Sequence, residues 1–255
     1  MKLALFRNRS DNRIWLIDEL RGLAILLMVL DHAFFDIVFI FGVDIPLFTS
    51  PFISTVRLSF ELLFVVISGA SCYFSRSNLR RGILCFLLGL PVTLVTYIFF
   101  KDQLVLFGIL QCLGVCMIIF ALLRKLLTKM NRFVGFFLFA FLALITYNSY
   151  YFEIGIPGVL TFDVPSHLAS VWLIPVGFPP LDYFPVDYFP LLPWLFVFLA
   201  GSFFGAFLGE RRAPAFFYKR HSKFLSLVGQ NTLFIYILHQ PVVFVVLYIV
   251  FYFIR

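Results

Sequence analysis

Residues 14–41 read IWLIDELRGLAILLMVLDHAFFDIVFIF. The run exceeds the roughly 20 apolar residues needed to cross the hydrocarbon core of a bilayer, yet it contains Asp18, Glu19, Arg21, Asp31, His32 and Asp36. Ionisable groups at that depth are costly unless they face a bundle interior or a water-filled cavity. At about 100° per residue, Met28 and His32 fall within about 40° of Arg21, and Asp18 and Asp36 lie about 60° away. The stretch therefore predicts a transmembrane helix with a polar stripe along one side. Asp18, Glu19 and Arg21 are near enough to the basic start of the chain to sit at the interface, whereas His32 and Asp36 lie too deep to snorkel out.

The rest of the chain repeats the apolar half of this pattern. Long apolar segments recur near 58–74, 82–100, 104–123, 133–149, 189–208 and 225–253, so the expected fold is an all-α polytopic bundle of about seven transmembrane helices. A chain of 255 residues that is 62% hydrophobic and only 13% charged, with a mean hydropathy of +1.01, cannot bury its apolar surface as a water-soluble fold; soluble domains carry about 25% charge. Continuous apolar runs also argue against an outer-membrane barrel, whose strands alternate. With no polar linker in view, residues 1–255 read as a single domain. The basic start is followed by no small-residue cleavage site, so the first segment reads as a retained helix.

Positive charge falls in alternate connections: Lys2, Arg7, Arg9 and Arg13; Arg76, Arg80 and Arg81; Arg124, Lys125, Lys129 and Arg132; Arg211, Arg212, Lys219, Arg220 and Lys223. By the positive-inside rule these clusters, and the N-terminus, are cytoplasmic, which implies a cytoplasmic-type cell membrane. The long connection from Tyr150 to Tyr188 has no Lys or Arg but holds Glu153, Asp163, Asp182 and Asp187, and reads as outward-facing. The pI near 9.4 thus reflects topology and affinity for anionic lipid rather than a nucleic-acid partner. Cys72, Cys85, Cys112 and Cys116 lie in or beside predicted helices and imply neither a disulfide framework nor a metal site.

Two readings of the stripe compete. In the bland one, Asp18 and Arg21 form an (i, i+3) ion pair and His32 and Asp36 an (i, i+4) hydrogen bond. In the functional one, His32 is a general base or transient acyl carrier, with Asp36, or less favourably Asp31, orienting its imidazole. Further along, Arg57 and Glu61 are spaced as an interfacial (i, i+4) pair, and Glu61 is also a candidate acceptor or cavity residue. Asp187, before Pro190, is either a helix N-cap or an acceptor contact, with Tyr183, Phe184, Tyr188, Phe189 and Trp194 as an aromatic surround suited to a sugar or to interfacial anchoring. Asn231, His239 and Gln240 share the last apolar segment, where Pro241 should remove a backbone hydrogen bond and bend the helix. They either satisfy local backbone or line a cavity.

Four pieces together resemble one family. IDELRGLAILLMVLDHAFFD at 17–36 resembles the opening of the heparan-α-glucosaminide N-acetyltransferase catalytic-domain family in its bacterial members, with Asp-x-x-Arg-Gly followed by a deep His or Asn; SFELLFVVISGAS at 59–71, DYFPLLPW at 187–194 and VGQNTLFIYILHQP at 228–241 resemble later motifs of that family. The first helix is also similar to that of the broader acyltransferase-3 group. The eleven steps from Arg21 to His32 span about 16 Å, comparable to a pantetheine arm. The resemblance implies a membrane O- or N-acyltransferase that takes an acyl group, most simply acetyl, from cytoplasmic acyl-coenzyme A and passes it to a carbohydrate-like acceptor at the outer face. In that reading Arg21, helped by Arg80 and Arg81, favours the donor phosphates; His32 and Asp36 are catalytic; Asp18, Glu61, Asp187, Asn231, His239 and Gln240 line the acceptor side or cavity. A transporter or flippase using the same stripe is the competing class, and the absence of two related halves counts against it.

Overall fold

The computed structural model describes residues 13–183, 185–209 and 213–254; Lys2, Arg7, Arg9, Phe184, Arg211 and Arg212 lie outside them. Among the described residues the backbone forms eight α-helices: α1 (Trp15–Phe35), α2 (Pro51–Phe74), α3 (Asn78–Phe99), α4 (Ile109–Leu127), α5 (Arg132–Ile145), α6 (Leu191–Gly209), α7 (Lys223–Gln230) and α8 (Thr232–Ile254). Seven helical segments are long and apolar enough to cross a membrane, the first running on to Ile40. The protein is an all-α polytopic membrane protein, and large side chains such as Phe99, Leu122, Phe137 and Phe253 lie exposed along its helices, as a lipid-facing surface requires.

Two spans differ from the hydropathy reading. The second helix begins at Pro51 rather than near 58. Proline suits the first helical turn, where no amide hydrogen is needed, and the hydroxyls of Ser54, Thr55 and Ser59 are absorbed by the carbonyls of Ser50, Pro51 and Thr55 one turn back. The last apolar segment is two helices, broken at Asn231, whose side-chain amide donates to Leu227 O at 2.8 Å. Pro241, by contrast, lies inside an α8 that runs continuously from Thr232 to Ile254.

The chain divides into two compact units, residues 1–64 with 211–255 and residues 65–210. In the first, α1 packs against α7 and α8. The α1–α7 contact is set by glycines: a Cβ on Gly229 would lie 1.7 Å from Asp18 O, and one on Gly22 would lie 2.1 Å from Leu225 O. Bare backbones permit this approach, the device by which membrane helices associate without a hydrophobic driving force. Glu19, 4% exposed, then pins the start of α7 by accepting the amide hydrogens of His221 and Ser222 at 2.7 and 2.8 Å.

In the second unit α3 packs on α4 and α5 on α6, and the small residues near the end of α2 serve packing: a Cβ on Gly69 would meet Phe198 O of α6 at 2.0 Å. Arg124 donates to Tyr73 O and Ser75 O, satisfying carbonyls at the α2 C-terminus. The connection between α5 and α6 carries an antiparallel hairpin of β1 (Glu153–Ile156) and β2 (Leu160–Asp163), in register Glu153 to Asp163. Tyrosines tie it down: Tyr188 donates to Ile174 O at 2.6 Å, and Tyr183 accepts from the Leu106 amide at 2.9 Å. Burial pushes both phenols above the usual tyrosine range, and neighbouring phenols push Tyr188 further. The four cysteines are free and buried, Cys112 and Cys116 standing 4.0 Å apart on α4.

Candidate active site

The deep end of the stripe is built where α1 loses its regular winding. From Asp36 to Ile40 the helix widens into a π-turn, with the Phe41 amide donating to Asp36 O at 2.9 Å. Such turns concentrate at functional sites because the extra residue re-aims side chains. Asp36 is fully buried, at 0% exposure, and both its carboxylate oxygens accept from the Gln240 amide nitrogen, at 2.9 and 3.0 Å. A buried carboxylate needs such a donor.

Asp36 is therefore held by Gln240 of α8, and the expected hydrogen bond from His32 to Asp36 gives way to a different arrangement. Helical side chains lean toward the N-terminus, and His32 reaches back one turn, placing Nδ1 3.0 Å from Met28 O. A carbonyl only accepts, so Nδ1 carries the hydrogen, and the lone pair of the neutral form of the ring is on Nε2. The His239 ring stands edge-on to that of His32, with centroids 5.0 Å apart and planes at 90°. Its Nδ1 meets Tyr236 O, which fixes the same tautomer. His239 Nε2 and Gln240 Oε1 are buried and meet no hydrogen-bond partner among the described residues. The structure thus brings together His32, Asp36, His239 and Gln240, two imidazoles and a carboxylate–amide pair at membrane depth.

Asp31, the less favoured partner for His32, belongs to Arg57: the guanidinium spans both carboxylate oxygens at 2.9 to 3.0 Å and lies over the Phe48 ring. Arg57, expected to pair with Glu61 on its own helix, thus reaches across to α1. Bidentate pairing explains the preference, since one guanidinium satisfies both oxygens at once.

At the shallow end Asp18 is 7% exposed and takes Arg13 at 2.6 Å, with Arg21 at a looser 3.8 Å. Arg13 and Arg220 both stack on Trp15, at 4.9 and 4.7 Å, so this end of the first unit is cationic apart from the buried Asp18 and Glu19. Glu19 reads from sequence as an interfacial charge and not as the anchor of α7, and the Gly22–Gly229 crossing was not among the features singled out; the signal available was glycine in both the ELRG and VGQN motifs.

The remaining candidates sit elsewhere. Asn231 closes α7 as described above. Arg80 and Arg81 are exposed in the first turn of α3, in the second unit. Asp187, also in the second unit, accepts from the Ile109 amide at 3.1 Å. It caps α4, a helix distant in sequence, rather than the α6 helix that follows it. Charge on the orphan amides of a helix start accounts for that position.

The fold and the cluster define an integral membrane protein with two imidazoles and a carboxyl group gathered among its helices. The chain matches the heparan-alpha-glucosaminide N-acetyltransferase catalytic family over residues 13–241, nearly its whole length, and belongs to that family. Membership implies a membrane acetyltransferase with acetyl-coenzyme A as donor. The match includes every residue of the cluster. No curated protein and no solved structure matches the chain.

Proposed function

We propose that the protein transfers an acetyl group from cytoplasmic acetyl-coenzyme A to an amine or hydroxyl of a carbohydrate-like acceptor at the outer face of the cell membrane, with the N-terminus cytoplasmic and residues 1–255 acting as one acyltransferase domain. The observation that carries this reading is the tautomer of His32. Its Nδ1 hydrogen is engaged by Met28 O, so Nε2 presents a lone pair at membrane depth, where it can attack a thioester carbon or take the acceptor's proton. Asp36, held in place by Gln240, supplies a fixed negative field that favours positive charge developing on the imidazole.

Arg21, one helix face below, is the donor-side cation. Its distance from His32 along the helix matches an extended pantetheine arm, and the surrounding Arg13 and Arg220 add attraction for phosphates. The alternating basic connections support the cytoplasmic side for this end, and the similarity of the first helix to the acyltransferase-3 group supports the same donor chemistry.

The test is purified protein in detergent with acetyl-coenzyme A. Wild type should gain thermal stability on adding donor, Arg21→Ala should lose most of that gain, and His32→Ala should keep it while acetyl transfer falls by at least about 100-fold, the usual scale for removing a general base or nucleophile. A donor with no effect on wild type at saturation removes the proposal.

A further inference from the structure

Two observations at the cluster point beyond a single catalytic histidine. The first is that His239, 8% exposed, repeats the tautomer logic of His32: Nδ1 is committed to Tyr236 O, and Nε2 is buried and meets no hydrogen-bond partner among the described residues, as is true of Oε1 of the next residue, Gln240. Buried acceptors without a donor are rare because each gives up its bond to water without replacement. Each is completed by a group that brings an N–H or O–H hydrogen.

The second observation concerns what one imidazole can do. If His32 Nε2 bonds to the acyl carbon, its only available lone pair is consumed. Asp36 has both oxygens on the Gln240 amide, and Asp31 has both on Arg57. Of these groups around His32, His239 Nε2 is the one that meets no hydrogen-bond partner among the described residues, on a ring whose centroid is 5.0 Å away.

With His32 carrying the acetyl group as in the acyltransferase reading, we propose that His239 takes the acceptor's proton, which makes the site a two-histidine centre. This rests on the acyltransferase reading and divides its chemistry. In the first half, His32 Nε2 attacks the thioester carbon, the C–S bond breaks, and coenzyme A leaves as the thiolate, giving an acetyl-imidazolium whose Nδ1 hydrogen stays on Met28 O. In the second half, the acceptor nitrogen or oxygen attacks the acetyl carbon while its proton passes to His239 Nε2. The bond from carbon to His32 Nε2 breaks, restoring the neutral ring; the departed thiolate takes its proton from water, and His239 returns the acceptor's proton to water. One acetyl group and one proton change places, with no further reactant. Gln240 Oε1 orients the acceptor by taking a second hydrogen, and is a positioning group for the nucleophile.

The experiment uses the full-length protein in detergent, acetyl-labelled acetyl-coenzyme A, and glucosamine as a probe bearing both amine and hydroxyls. Wild type, His32→Ala, His239→Ala and His239→Gln are followed for thiol release without acceptor, label retained on protein, and label transferred to glucosamine. The expected result is that both His239 variants release thiol and retain label as wild type does, while transfer to glucosamine falls by about 100-fold or more. Added imidazole should restore transfer in His239→Ala, whose truncation leaves room for it, and not in His239→Gln. Wild-type transfer rates in both His239 variants, loss of labelling together with transfer, loss of transfer that imidazole leaves unchanged, or wild-type turnover with no label on the protein each overturn the proposal. A wild type that neither releases thiol nor transfers label overturns the acyltransferase reading itself.

Discussion

The Asp36–Gln240 pair shows how one side chain can decide whether a charge survives in a membrane. The carboxylate is fully buried and its oxygens meet a single amide nitrogen. Gln240→Leu leaves that carboxylate without its donor, and should destabilise the protein by about 1.5–3 kcal/mol, the scale of a hydrogen bond to a charged group. Adding Asp36→Leu should recover part of the loss, because removing both partners also removes the unpaired charge; a double-mutant cycle of thermal melts checks both. Tyr188 illustrates burial acting on a group outside the spans. Its phenol, pushed up by burial and by Tyr183 and Tyr150, ionises at about pH 10 once unfolded. The folded value is the higher one, so the stabilisation is complete below about pH 10 and declines as pH rises beyond it. Tyr188→Phe should flatten that alkaline decline in melts between about pH 9 and 11.5.

At the scale of elements, the placement of α7 depends on the absence of a side chain. Gly229 faces Asp18 O at a distance no Cβ tolerates, so Gly229→Ala should force α1 and α7 apart. The expected cost is about 1–3 kcal/mol, as for inserting a methyl into a tightly packed contact, read as a lowered melting temperature. The same displacement should weaken the two amide hydrogen bonds that Glu19 accepts from His221 and Ser222, and Glu19→Ala should lower stability in the same sense. The π-turn at Asp36 is the other element-level device. It begins at Asp36, so the residues that follow it up to Ile40 leave the phase that a regular helix would give them.

At the scale of the whole molecule, the described residues hold seven helical segments long and apolar enough to span a membrane, and the orientation proposed from the charge bias, with the N-terminus inside, can be tested directly. A phosphatase reporter fused in the hairpin near Gly158 should be active outside the cell membrane, and one fused between α4 and α5 inactive; the reverse pattern overturns the orientation. Much of this scale was legible in the sequence. Spans follow from hydropathy because lipid forces every backbone polar group to be satisfied within its own helix, and the stripe on α1 follows from helical period alone. Missed were the break at Asn231, the early start at Pro51, and the actual partners of His32, Asp36, Arg57 and Asp187. Period and spacing describe neighbours along one helix, so they proposed Asp36 for His32 and Glu61 for Arg57. The true partners, Gln240 for Asp36, Asp31 for Arg57 and Ile109 for Asp187, come from other helices or connections. The sequence by itself determined that this protein spans a membrane seven times with charge buried in its first helix. Only the tertiary structure decided which groups pair with those ionisable side chains, because hydrogen bonds form between atoms that packing brings within 3 Å or so, whatever their separation along the chain.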